Sequence, residues 1–98
     1  MIRVIYRWRV EEKDFEEFRN IWDKTTNKIH KNVDGALGSF MLRGCEELNE
    51  VLTIAKWDSL ESWKNFFEGS NPKQMQGMRE LGERISVEVY NEVDDFTK

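Results

Sequence analysis

The sequence predicts an α+β fold of element order β-α-β-β-α-β, with a four-stranded antiparallel sheet and its helices on one face. Three observations predict it. The chain opens on a segment of apolar/polar alternation broken only at Ile5. One long amphipathic stripe follows, from Phe15 to Val33. Two largely apolar segments then flank a polar turn, ahead of a second aromatic helical run and a closing alternation of valines.

Each element has its own reason. In residues 2–10, Ile2, Val4, Tyr6, Trp8 and Val10 share one face, and Arg3, Ile5, Arg7 and Arg9 the other. That is the two-residue period of a strand. Residues 14–33 place Phe15, Phe18, Trp22, Ile29 and Val33 three, four or seven apart, with Thr25 in the gap, so one helical stripe is apolar. Asp34-Gly35 ends it, because glycine accepts the left-handed conformation that closes a helix. Residues 36–43 and 50–57 read as an antiparallel hairpin around the polar turn 44–49. Val51, Leu52, Ile54 and Trp57 pack well on a pleated surface. Asp58-Ser59-Leu60-Glu61 has the form of a capping box, with Asp58 as N-cap. The helix it opens carries Leu60, Trp63, Phe66 and Phe67 and closes at Gly69. Asn71-Pro72 restarts a helix, since Asn caps well and Pro suits the first helical position. Met75, Met78, Leu81 and Ile85 supply its buried side. Residues 86–93 are the last strand, where Val87, Val89 and Val93 alternate with Glu88, Tyr90 and Glu92, and an acidic tail ends the chain. With its second helix broken, this order is the ferredoxin-like split βαβ arrangement. Residues 1–98 are expected to form one domain.

Composition removes other classes. Ninety-eight residues are too few for a dinucleotide-binding fold, a TIM barrel or a kinase. A net charge of −4 argues against nucleic-acid binding, which needs a basic face for the phosphates. The single Cys45 forbids an intramolecular disulfide. Neither a signal peptide nor a membrane span of roughly 20 apolar residues is seen. A cytoplasmic, reducing location without membrane contact is therefore expected. One His and one Cys do not make a structural zinc site, so no metal is expected. Gly35 and Gly38 lack the context of a phosphate-binding loop. Twelve aromatic residues, four of them Trp, exceed what so small a core requires and point to a pocket or an interface.

The topology leaves one sheet face uncovered. Arg3, Ile5, Arg7 and Arg9 of the first strand share it with Glu88, Tyr90 and Glu92 of the neighbouring last strand. Cross-strand ion pairs on a solvated face are one reading. A sheet-on-sheet dimer with Arg3, Ile5, Arg7, Glu88 and Tyr90 at its interface is the other.

Five segments carry a family likeness. They are Ile2-Arg3-Val4-Ile5-Tyr6-Arg7-Trp8, Gly35-Ala36-Leu37-Gly38-Ser39, Ala55-Lys56-Trp57-Asp58-Ser59, Ser62-Trp63-Lys64-Asn65-Phe66-Phe67 and Val87-Glu88-Val89-Tyr90. In this order they resemble the antibiotic biosynthesis monooxygenase (ABM) family of the dimeric α/β-barrel superfamily, along nearly the whole chain. The resemblance implies a homodimer closed through the open sheet face, and a small-molecule pocket between sheet and helices. It implies oxidation of an aromatic molecule by O₂ without metal or flavin, hence no cofactor. A haem-degrading branch is similar in length and pattern. It uses an Asn on the first strand, a Trp on the helix after the third strand and a His further along. Here those places hold Tyr6 or Arg7, Phe66 and Gln76, and the only His is His30 on the other helix, which argues against haem degradation.

Oxygenation of this kind needs an electron-rich phenol or hydroquinone, a base, and a pocket that stabilises the anion and excludes water. Histidine is the residue type that ordinarily titrates near neutrality, which makes His30 the candidate base; exposure at a helix end is its plainer reading. Tyr6 is the second catalytic candidate, since a buried hydroxyl needs a partner. Trp8, Phe18, Trp22, Trp63 and Phe66 are candidate walls of the substrate pocket, and the same spacings also fit core packing. A non-catalytic dimeric small-molecule-binding or stress-response module of this fold is the alternative.

Overall fold

A computed structural model of the chain describes residues 1–69 and 75–97. Strands β1 (Ile2–Arg9), β2 (Ala36–Arg43), β3 (Glu50–Trp57) and β4 (Glu83–Asn91) form one antiparallel sheet in the order β2-β3-β1-β4. A short 3₁₀ turn (Glu12–Asp14) leads into helix α1 (Phe15–Asn32). Helix α2 (Leu60–Gly69) follows β3, and helix α3 (Gln76–Leu81) precedes β4. The β-α-β-β-α-β order with a broken second helix is therefore observed. The Asn71-Pro72 restart lies outside the described residues.

The alternation in β1 sets the core. Ile2, Val4, Tyr6 and Trp8 turn toward the helices, and each is at most 6% exposed. They join Val51 and Trp57 of β3, Phe18 of α1, Trp63 and Phe66 of α2, and Met75 and Met78 beside and within α3. Aromatic contacts lock the layers together. Trp8 meets Phe18 edge-on at 5.2 Å, Trp57 meets Phe66 at 5.3 Å, and Trp63 meets Phe67 at 4.9 Å.

Gly35 fixes the entry to β2. Its φ of +87° lies in the left-handed region, and a Cβ there would sit 2.6 Å from both Asp58 Oδ1 and Ser62 Cβ. The Asp58 amide donates to the Gly35 carbonyl at 3.0 Å, joining the end of β3 to the start of β2.

Three local expectations are corrected. The N-cap of α2 is Ser59, whose Oγ accepts from the Ser62 amide at 3.1 Å, so the helix begins one residue later than a box on Asp58 would place it. Ile85 belongs to β4, beside the register shift opposite Arg7/Trp8, and is half exposed. β4 runs from Glu83 to Asn91 rather than over 86–93; Val93 lies beyond it and is 92% exposed. The expected cross-strand ion pairs form: Arg3 pairs with Glu92 at 2.8 Å and Arg7 pairs with Glu88, both diagonally, since Tyr90 and Ser86 stand directly opposite Arg3 and Arg7.

Candidate functional site

α1 crosses the sheet above β2 and β3 without filling all the space beneath it. A cavity of about 50 Å³ remains. Trp22, Ile29, Met75 and Met78 supply its apolar walls, and Tyr6, Thr53, Ala55 and Trp57 line it from the sheet. Its rim includes the exposed His30 and the half-buried Thr26, Ser39 and Lys56, so it opens to solvent between α1 and β2.

The structure sorts the expected site residues. Tyr6, His30 and Trp22 come together on this cavity. Trp8, Phe18, Trp63 and Phe66 stand outside its lining and fill the core. The reason is geometric for each. Trp8 is pinned between Phe18 and Thr53. Phe18 sits one turn before Trp22 on α1, under Gly82 and Val10 rather than over β2. Trp63 and Phe66 lie on the inward side of α2, with Trp57 and Phe67 as ring neighbours.

Thr53 escaped sequence reading. It is the only polar residue among the described residues classed as buried, at 2% exposure. The signal was available: Val51, Thr53, Ala55 and Trp57 form the inward alternation of β3, and one of them is a hydroxyl residue.

Two indoles organise the polar floor. Trp63 Nε1 donates to Tyr6 Oη at 3.1 Å, and Trp8 Nε1 donates to Thr53 Oγ1 at 3.1 Å. Burial holds the Tyr6 hydroxyl above the ordinary tyrosine range, while the Trp63 hydrogen bond and the Arg84 charge pull partly the other way. Tyr6 is therefore neutral near pH 7 and keeps its hydroxyl proton. Arg84 stands over the Phe67 ring, 5.6 Å from its centroid. Its Nη1 is buried without a hydrogen-bond partner, and burial, then repulsion from Arg79, lowers its pKa.

Among the described residues no three His, Cys, Asp or Glu side chains cluster as a metal site requires, and no helix is long and apolar enough to cross a membrane.

The sequence profile of the family described as antibiotic biosynthesis monooxygenase matches residues 1–78. The chain belongs to this family. No curated protein sequence matches it. Solved structures agree with the ABM fold at low identity. The cofactor-independent oxygenase SnoaB from Streptomyces nogalater superposes with a TM-score of 0.81 at 14% identity, covering 99% of this chain and 97% of that one. A putative antibiotic biosynthesis monooxygenase from Deinococcus radiodurans gives 0.79 at 11% identity, over 100% and 98% of the two chains. At such identities the likeness establishes the shared ABM architecture. What this chain's cavity does is a matter for its own residues.

Proposed function

We propose that the chain is a cofactor-independent oxygenase of the ABM family, acting with O₂ on a small phenol- or hydroquinone-type molecule bound between α1 and the sheet. The observation that carries this reading is an apolar cavity with both a rim histidine and a buried, neutral tyrosine hydroxyl on its lining. His30 takes the phenolic proton, and Tyr6 donates to the substrate oxygen where negative charge develops. The substrate anion passes one electron to O₂, and the resulting radical pair joins at a ring carbon. The hydroperoxide so formed loses water and leaves a carbonyl. One oxygen atom enters the product and the other leaves as water, with all electrons supplied by the substrate.

Cavity size adds a condition. A closed apolar cavity of about 150 Å³ takes up benzene, and this one measures about 50 Å³. A ring enters only if the mouth widens, and Trp22 and Ile29 are the half-buried side chains placed to move. The same small volume favours the second reading, a binding module without turnover. We also assign to the protein a homodimer formed through the open sheet face and a reducing, cytoplasmic setting, the latter supported by its one exposed, unpaired Cys45.

Oxygen uptake by metal-free protein over a panel of phenols and hydroquinones tests the reading. Turnover is expected, with ¹⁸O from ¹⁸O₂ in product and water, and His30→Ala should lower kcat roughly a hundredfold. Ligand binding without uptake across the panel would instead establish the binding module.

A further inference from the structure

Tyr6 and Thr53 are directly opposed in the β1–β3 register, and both line the cavity. Each hydroxyl oxygen already accepts an indole N–H, Tyr6 from Trp63 and Thr53 from Trp8. Both indoles are core residues, so neither donor can turn away to solvent. A hydroxyl carries one proton to give. Among the described residues no acceptor takes the proton of either hydroxyl. Two buried hydroxyl protons are thus left without an acceptor on residues that line the cavity, whose other polar residues include Thr26, His30, Ser39 and Lys56 at its rim.

We propose that Tyr6 and Thr53 form a paired donor site that selects ligands by acceptor oxygens, namely carbonyl, quinone or phenolate oxygens on a compact apolar frame. The two donors stand at different heights. Threonine keeps its hydroxyl near the sheet, whereas tyrosine carries it a ring length further. They therefore address a ligand with oxygens at separate points, as in a dione or a quinone, better than a ligand with one. Trp63 and Trp8 are positioning residues: they occupy the acceptor side of each hydroxyl and so fix the direction in which it donates. This inference rests on the cavity being the binding site, and it names the chemistry that the site recognises.

The probe is cyclohexane-1,4-dione, and its isostere 1,4-dimethylenecyclohexane carries the same frame without oxygens. Both are titrated calorimetrically into the native protein and into Tyr6→Phe, Thr53→Val and Thr53→Ser. Tyr6→Phe and Thr53→Val should each weaken the dione roughly three- to tenfold, the worth of one hydrogen bond, and leave the diene unchanged. Thr53→Ser, which keeps the hydroxyl, should bind the dione as the native chain does. The infrared carbonyl stretch of bound dione should lie lower in the native protein and move up in Tyr6→Phe and in Thr53→Val. Dione and diene responding alike in every variant would overturn the donor pair and leave the cavity standing. Failure of both probes to bind would remove the cavity reading, and the donor pair with it.

Discussion

Thr53 shows how much depends on a single polar atom in this core. Its Oγ1 is the acceptor for Trp8 Nε1, and Trp8 is 2% exposed. Thr53→Val keeps the shape and strands the indole N–H, at a cost of about 1–3 kcal/mol. Thr53→Ser keeps the acceptor and loses one methyl, at about 0.8 kcal/mol. Urea unfolding should therefore rank native above Ser above Val, and a Val variant more stable than Ser would contradict the indole's dependence on Thr53. The two tyrosines offer a second check. Tyr6 is raised above 10.0 by burial, and Tyr90 is raised above 10.0 by its hydrogen bond to Glu88. In the unfolded chain both titrate near 10.0, so the unfolded state loses protons first. Stability is then full below pH 10 and falls as pH rises through the folded values. Ultraviolet titration should show phenolate appearing above pH 10 in native protein and nearer 10 in urea. Phenolate appearing at the same pH in both would contradict the burial of Tyr6.

Among the elements, the junction between β3 and α2 ties the end of the sheet to the helix layer. Gly35, Asp58, Ser59 and Ser62 meet there. Gly35→Ala combines a left-handed φ with a Cβ 2.6 Å from neighbouring atoms, and should cost about 1–3 kcal/mol or more. Ser59→Ala removes the cap of α2, for about 1 kcal/mol. The capping residues also show where sequence reading reached its resolution. Asp58 and Ser59 are both good N-caps, and the sequence pattern that chose Asp58 relied on Glu61. The backbone geometry instead gave Asp58 to the turn with Gly35 and left the cap to Ser59. β1 was legible because its period of two is written almost without exception, and β3 because Val51, Leu52, Ile54 and Trp57 favour a strand after a polar turn. The start of β4 was not, because the register shift at Arg7/Trp8 breaks the alternation between Arg84 and Ser86. Half of the site was hidden for a related reason. Aromatic spacing marks which residues turn inward, but not which of those inward residues leave a gap. Trp8, Phe18, Trp63 and Phe66 turn inward and fill space; Trp22 turns inward and borders it.

For the molecule as a whole, the open sheet face poses the remaining physical problem. Ile5, Leu52 and Ile54 lie on it half-buried, and Phe40 and Leu42 on it are 45% and 47% exposed. Arg7 and Glu88 flank this stripe, and Glu88 also accepts from Tyr90 Oη at 3.0 Å and Ser86 Oγ at 3.2 Å. The segment after β4 borders the same face: Asp94, Asp95 and Thr97 line a groove with Arg3, Ile5, Phe40 and Ile54. An apolar centre with charges already paired inside the subunit can meet its own copy without stranding a charge, because Arg7 and Glu88 bring their partners with them. Light scattering at micromolar concentration should give about twice the 11.8 kDa chain mass. Phe40→Asp places an unpaired carboxylate on that face and should return the chain to the monomer mass with its circular dichroism unchanged. The acid limb carries an independent consequence. Glu88 is held below its ordinary 4.5, first by the Arg7 hydrogen bond and then by that of Tyr90. The stability it contributes is present above 4.5 and is lost as pH falls through the lower folded value. Glu88→Gln should therefore flatten the loss of stability below pH 4.5, whereas Phe40→Asp should not. A native chain that scatters as a monomer would overturn the second copy on the apolar stripe, and the acid-limb difference between Glu88→Gln and Phe40→Asp would still report the intrasubunit pairing on its own.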